Sequence, residues 1–135
     1  MGVAYALEKR VQVITAAGDR GDELSEVAAY PAVLSQKYSN VITVASVDER
    51  DELVQVSGRY SNFGESYVAM AAPGLKIRVA EPRLNRDFET SSGISAAIVA
   101  GAWVRSENGG EAILCDSIPA LAGKVAGACR LKVGE

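Results

Sequence analysis

Several short apolar runs in the sequence do not alternate between polar and apolar residues. The runs at 11–17 and 41–47 are rich in Val, Ile and Thr, and they end at a glycine and at a charged stretch respectively. A strand with apolar residues on both faces is typical of a parallel sheet that is covered on both sides. Shorter runs at 67–72 and 77–80 are also predicted strands. We therefore expect a mainly parallel β-sheet.

Helical segments are predicted between these runs. Residues 4–10 favour a helix before the first strand, and an Ala/Gly-rich helix is expected to run from a cap at Ser91 or Ser92 to Arg105. The second helix is almost uninterrupted in its apolar character. We expect it to be central and buried on several sides, with Gly101 at the point where it crosses the sheet closely.

Strands that alternate with helices are typical of α/β domains. A further short helix is predicted at 111–115, after a polar, Gly-rich turn. The sequence has no internal repeat and no low-complexity linker. The prediction is a single α/β domain over residues 1–135, in three layers with the central helix packed on the sheet.

The chain contains no histidine, which is the usual general base near neutral pH and the commonest transition-metal ligand. Its formal net charge of −3 gives no basic surface for nucleic acid or an anionic membrane. The longest apolar run, 94–104, is about half of the roughly 20 residues that cross a bilayer. We therefore expect no cofactor, no metal, no nucleic-acid partner and no membrane insertion, and no signal indicates a compartment.

Cys115 and Cys129 leave two interpretations open. Their spacing is not typical of a metal site. Two buried thiols are favoured over a disulfide, because free cysteine is among the most buried residue types. The redox state of the pair stays undecided at this point.

Several segments occur together in the order and spacing of one family. They are residues 13–18 (Val-Ile-Thr-Ala-Ala-Gly), 60–64 (Tyr-Ser-Asn-Phe-Gly) with 71–74 (Ala-Ala-Pro-Gly), and 99–102 (Val-Ala-Gly-Ala). Further matches at 30–32, 41–44, 121–127 and 130–131 extend the likeness over nearly the whole chain. In these residues the chain resembles the subtilisin-like serine peptidases, or subtilases.

This resemblance implies the C-terminal half of a subtilase peptidase domain, which is a doubly wound α/β fold. Subtilases use a nucleophilic Ser, a general-base His and an orienting Asp, and the last two lie in the N-terminal half. The resemblance therefore implies a truncated three-layer sandwich that begins after that half. A serine hydroxyl is a weak nucleophile without such a base.

Gly93 is expected at the position of the nucleophile. The family pattern Gly-Thr-Ser-Met-Ala-Ala-Pro-His-Val-Ala-Gly-Ala aligns without gaps with 91–102, which read Ser-Ser-Gly-Ile-Ser-Ala-Ala-Ile-Val-Ala-Gly-Ala. Ser92 and Ser95 lie about 100° and 200° around the helix from that position, so neither points in the same direction. An alternative alignment puts Ser95 at the nucleophile, and it requires a deletion of two residues inside the helix.

Asp19 stands where the resemblance places the oxyanion-hole Asn, directly after Ala-Ala-Gly. A carboxylate only accepts hydrogen bonds and would repel the oxyanion that an amide donor stabilises. Asp19 is alternatively a loop or helix-capping acid. With Gly93, it predicts a degenerate site that lacks catalytic residues.

Three functions are compatible with these features. The favoured one is an inactive structural or interaction subunit, whose first strand pairs with another chain or a second copy near Val11, Val13 and Thr15. The second is the C-terminal chain of a split peptidase, with the Asp and His supplied by a partner chain. The third is a peptide-binding module that uses the former cleft near Asp19 and Ser92.

Overall fold

The computed structural model describes residues 2–80 and 88–132. The helices of this part of the chain are α1 (Gly2–Glu8) and α2 (Ser92–Glu107), and neither is long and apolar enough to span a bilayer. The strands are β1 (Val13–Ala16), β2 (Val41–Val47), β3 (Gln55–Val56), β4 (Arg59–Tyr60), β5 (Val68–Pro73), β6 (Ile77–Arg78), β7 (Phe88–Glu89), β8 (Cys115–Ser117) and β9 (Cys129–Leu131). Short 3₁₀ helices occur at Ala32–Gln36, Pro119–Leu121 and Ala126–Ala128.

Five strands form the main sheet in the order β1-β2-β5-β9-β8. The first four are parallel to their neighbours, and β8 pairs antiparallel with β9. The predicted α/β architecture with a mainly parallel sheet is therefore confirmed, and β2 has the predicted bounds. The strand expected at 77–80 lies outside this sheet, since β6 pairs with β7 in a separate hairpin.

The two faces of the main sheet build two cores. On one face Val44 and Ala72 pack against Ala96 and Val99 of α2. On the other face the fully or almost fully buried side chains include Ala45, Val47, Val68, Ala71, Leu121 and Val125. Val68 and Ala71 are three residues apart and would face opposite sides of a regular strand. The pairing of β5 with β2 shifts register at Thr43/Val44, so both residues face this core. The sheet is thus covered on both sides, as its apolar strands require.

Only one side of α2 is buried among the described residues. Its N-cap is Ser91, whose Oγ accepts a hydrogen bond from the Ile94 N–H over 3.2 Å. The buried residues of the helix are Ser92, Ser95, Ala96 and Val99. Gly101 is exposed, and no heavy atom lies within 4 Å of the place where its Cβ would be. The expected close approach at Gly101 is wrong, because this residue lies about 200° around the helix from Val99.

The helix expected at 111–115 is absent, since Cys115 begins β8. A segment this short does not nucleate a helix without help, and β9 offers a strand partner instead. Cys115 and Cys129 are joined by a disulfide with a Cα–Cα distance of 5.1 Å, which is an ordinary value. The interpretation as two buried thiols is therefore wrong, and Cys115 is exposed.

The disulfide should stabilise the fold, because it closes a loop that carries Leu121 and Val125 into a core. We expect reduction to lower the free energy of unfolding by about 3 kcal/mol, as for a loop of this length. Urea unfolding with and without reductant measures this difference in the free energy of unfolding. A Cys115→Ala/Cys129→Ala variant is the control, since reductant should not change its midpoint. An unchanged midpoint in the fully reduced native sequence would contradict the expectation.

Candidate functional site

The loop after β1 meets the N-terminus of α2. The Gly18 N–H donates to Ser92 Oγ over 3.1 Å, and the Ser92 N–H donates to Asp19 Oδ1 over 2.7 Å. This reciprocal pair joins the carboxyl end of a parallel strand to the first turn of a helix, which is a frequent ligand position in α/β sheets. Gly93 follows Ser92 in that turn. The structure thus brings Asp19 and Gly93 into one site.

Asp19 caps α2 from a distant part of the sequence. Its side chain is 18% exposed, and a carboxylate beside the first helical N–H interacts favourably with the positive end of the helix dipole. Its Oδ2 lies 3.8 Å from Nη1 of Arg59, whose side chain is 55% exposed. An ion pair so open to solvent contributes little. These contacts are those of an acid that caps a helix.

Ser92 and Ser95 are fully buried, and their hydroxyl groups hold α2 against the sheet. Ser92 Oγ accepts from Gly18, and Ser95 Oγ lies 3.0 Å from the carbonyl oxygens of both Ala72 and Pro73, to which it can donate. Neither hydroxyl is accessible to a substrate. Both serines therefore have structural roles at this site.

Gly93 is exposed beside these buried serines. Its φ lies outside the left-handed region, and the nearest atom to an added Cβ would be Ser91 Oγ at 3.4 Å. That distance is an ordinary contact. The position therefore has room for a side chain but carries none.

Asn62 organises the loop after β1, and the sequence did not single it out as a site residue. Its buried amide Oδ1 accepts from the N–H groups of Arg20 and Asp22 over 3.1 and 2.9 Å, and its Nδ2 donates to the Ala17 carbonyl over 2.9 Å. Gly18 has a φ of 109°, and a Cβ there would lie 2.4 Å from Asn62 Nδ2. The sequence feature that could have identified Asn62 is its position in the 60–64 segment, one of the segments in which the chain resembles the subtilases.

Gly74 allows the end of β5 to approach the N-cap of α2. Its carbonyl accepts from the Ser91 N–H over 3.0 Å. A Cβ at Gly74 would lie 2.9 Å from the carbonyl oxygen of the N-cap residue Ser91 and 2.5 Å from Ser46 Cβ of β2, both closer than atoms pack. Only glycine is compatible with this contact. Steric contact therefore explains why the last residue of the Ala-Ala-Pro-Gly segment is glycine.

The site offers hydrogen-bonding groups that are already used within the chain. Its carboxylate belongs to Asp19, which is mostly buried, and the sequence supplies no histidine as a base. Within 2–80 and 88–132, no group of three His, Cys, Asp or Glu side chains could hold a metal ion. The described arrangement contains no nucleophile paired with a base.

Solved structures with the same fold are numerous, and three of them are informative. The A subunit of the AB5 toxin from E. coli matches with a TM-score of 0.73 and 22% identity, over 96% of this chain and 50% of that chain. A structure of the subtilase cytotoxin SubAB assembly gives 0.74 and 22%, over 96% and 49%. The prenylagaramide maturation protease PagA gives 0.61 and 24%, over 81% and 38%. The chain therefore spans half or less of the length of these structures, and identities this low show the fold alone.

A search of curated protein sequences gives no significant match. The family model of the subtilases, however, matches residues 2–111. This range is most of the chain, and it includes the loop after β1, Gly74 and the whole of α2. The chain therefore belongs to the subtilase family.

Proposed function

We propose that residues 1–135 are a partial, catalytically inactive subtilase domain that serves as a structural or protein-interaction subunit. The observation that carries this proposal is the pattern of exposure at the start of α2. The exposed position, Gly93, has no side chain, while Ser92 and Ser95 are buried and hydrogen bonded. Serine peptidase chemistry requires an accessible, activated hydroxyl group.

Asp19 supports the same proposal. An oxyanion hole needs preorganised donors directed at the developing negative charge. Here the Ser92 N–H already donates to the carboxylate of Asp19 over 2.7 Å. A second anion at this place would be repelled by Asp19, and the exposed Arg59 would offset that repulsion only weakly.

The lack of histidine bears on the split-peptidase alternative. A partner chain could supply the histidine base that this chain lacks, and with it the orienting acid that the family places in the same half of the domain. The alternative still needs a nucleophile in place of Gly93, and the two nearby serines are committed to packing α2 on the sheet. We therefore favour the inactive subunit.

The outer edge of β1 supports an interaction role. The N–H groups of Val13 and Ala17 donate to the backbone on the β2 side. Because a strand alternates, the N–H groups of Ile14 and Ala16 point to the opposite side, where β1 has no neighbouring strand in the part of the chain that the structure describes. An apolar strand edge of this kind favours pairing with another strand.

The segment before β1 adds exposed apolar surface. Tyr5, Leu7 and Val11 are 61%, 40% and 53% exposed, and no residue of α1 is buried. Monomeric proteins usually bury or disperse such side chains. This surface and the β1 edge near Val11, Val13 and Thr15 are the proposed contact region for another protein chain or a second copy.

The opposite edge of the sheet is a poorer pairing surface. β8 has only three residues, all exposed, and its Asp116 carboxylate lies 3.9 Å from Lys132 Nζ. Short and charged edge strands resist pairing with other chains. The contrast between the two edges favours β1 as the interaction edge.

Inactivity is the first expected outcome. The chain should neither cleave casein nor react with a fluorophosphonate probe, as judged by intact-protein mass spectrometry beside an active subtilase. Gly93→Ser should fold, because a Cβ at this position has room, and it should also stay unlabelled for want of a base. Labelling of Ser92 or Ser95 in the native sequence would overturn the proposal. Cleavage that appears only with a histidine-bearing partner would favour the split peptidase.

Association through the β1 edge is the second expected outcome. Sedimentation velocity should detect self-association or partner binding that Val11→Lys weakens, because a lysine next to the edge of β1 opposes pairing there. Val27→Lys is the matched control, since Val27 is also an exposed valine and lies outside the strands and both proposed contact surfaces. Gln12 is a poorer choice because its Nε2 donates to the Asn40 carbonyl over 2.8 Å. A chain that stays monomeric and unbound, with rapid amide exchange at Ile14 and Ala16, would contradict the interaction role.

A further inference from the structure

A groove of about 350 Å³ lies at the other end of the sheet from β1. Its walls are the C-terminal half of α2, the extended segment at 111–113 and the end of β9. This volume is within the range of ligand-binding clefts. Residues 111–113 line the groove without forming a helix, and Gly101 contributes no side chain to it.

The floor of the groove is apolar. It is lined by Ile98 and Ala102 of α2, by Ile113 and by Leu131 of β9. Ile98, Ala102 and Ile113 are only partly buried against the core beside them. An occupant with apolar side chains would therefore remove further apolar surface from water, which is favourable.

The rim of the groove carries two cations. Arg105 forms no ion pair with any described residue, and Lys132 has only a long contact of 3.9 Å with the exposed Asp116. Glu111 is the one acidic residue of the lining. With two cations and one carboxylate, the residues that line the groove carry a net charge of +1, on a chain whose net charge is −3. This favours an occupant with a carboxylate.

Exposed apolar surface continues beyond the groove. Val104 precedes Arg105 on α2 and is 61% exposed. A small molecule that fills the groove would leave this side chain in water, whereas a polypeptide segment that crosses α2 can cover both. The extent of the surface therefore favours a polypeptide over a free small carboxylate.

We propose that this groove binds an acidic, apolar segment of a partner polypeptide, with an apolar side chain over Gly101 and a carboxylate near Arg105 and Lys132. The site is separate from the β1 edge, since β1 and β9 have two strands between them. Peptide binding in this groove goes beyond the proposed function, because it does not depend on pairing of the chain through β1.

Gly101 allows a direct test. Gly101→Leu places an apolar side chain in the groove, and its Cβ would meet no atom within 4 Å. Gly2→Leu is a matched control, because Gly2 is also a helical glycine with nothing within 4 Å. Thermal unfolding monitored by circular dichroism should show that both variants fold, with Gly101→Leu at least as stable as the native sequence because leucine favours a helix more than glycine does. Arg105→Gln removes the charge while it keeps a long side chain.

The probe is a short fluorescein-labelled peptide of leucine and glutamate, and binding is followed by fluorescence anisotropy at low ionic strength. We expect saturable binding that falls about tenfold or more in Gly101→Leu and Arg105→Gln and is unchanged in Gly2→Leu. The same peptide with lysine in place of glutamate should bind about tenfold more weakly. Absent binding, equal binding of the two peptides, or unchanged binding in Gly101→Leu would overturn the proposal. Binding of decanoate without binding of the peptide would overturn the polypeptide as occupant.

Discussion

Two hydrogen bonds connect the loop after β1 to the first turn of α2, and the geometry of the candidate site depends on them. Gly18 donates to Ser92, and Ser92 donates to Asp19. These bonds fix α2 across β1, β2 and β5, and the buried amide of Asn62 holds the loop in place. Buried polar groups of this kind must be paired, because an unpaired one destabilises the fold. Replacing any member would therefore affect both the loop and the helix.

The same contacts link the fold to the proposed function. Ser92, Ser95 and Gly74 make the close approaches between α2 and the sheet, whereas Gly93 is exposed and has steric freedom. Requirements of packing explain why the small and polar residues around the site are needed. No such requirement explains glycine at position 93. Loss of catalysis would leave these packing residues under the same physical constraints, so a subtilase fold can persist without its chemistry.

The sequence predicted the parts of the fold that depend on local pattern. β2 was found with its bounds because a long, β-branched run has a strong strand signal, and Asp19 and Gly93 were placed in one site by the order of the family segments. Gly101 could not be placed, because its environment depends on which side of α2 is covered rather than on helix composition. The Cys115–Cys129 disulfide was also missed, since it follows from the pairing of β8 with β9, a contact between segments without a clear strand pattern.

The central claim is that the polar groups of the site are used to hold the fold rather than to react with a substrate. Urea unfolding of Asp19→Ala tests it most directly, with Asp19→Asn as a control that keeps an acceptor oxygen. If Asp19 caps α2, Asp19→Ala should lower the free energy of unfolding by about 1–2 kcal/mol, and Asp19→Asn should lower it less. Equal stability of Asp19→Ala and the native sequence would contradict the claim.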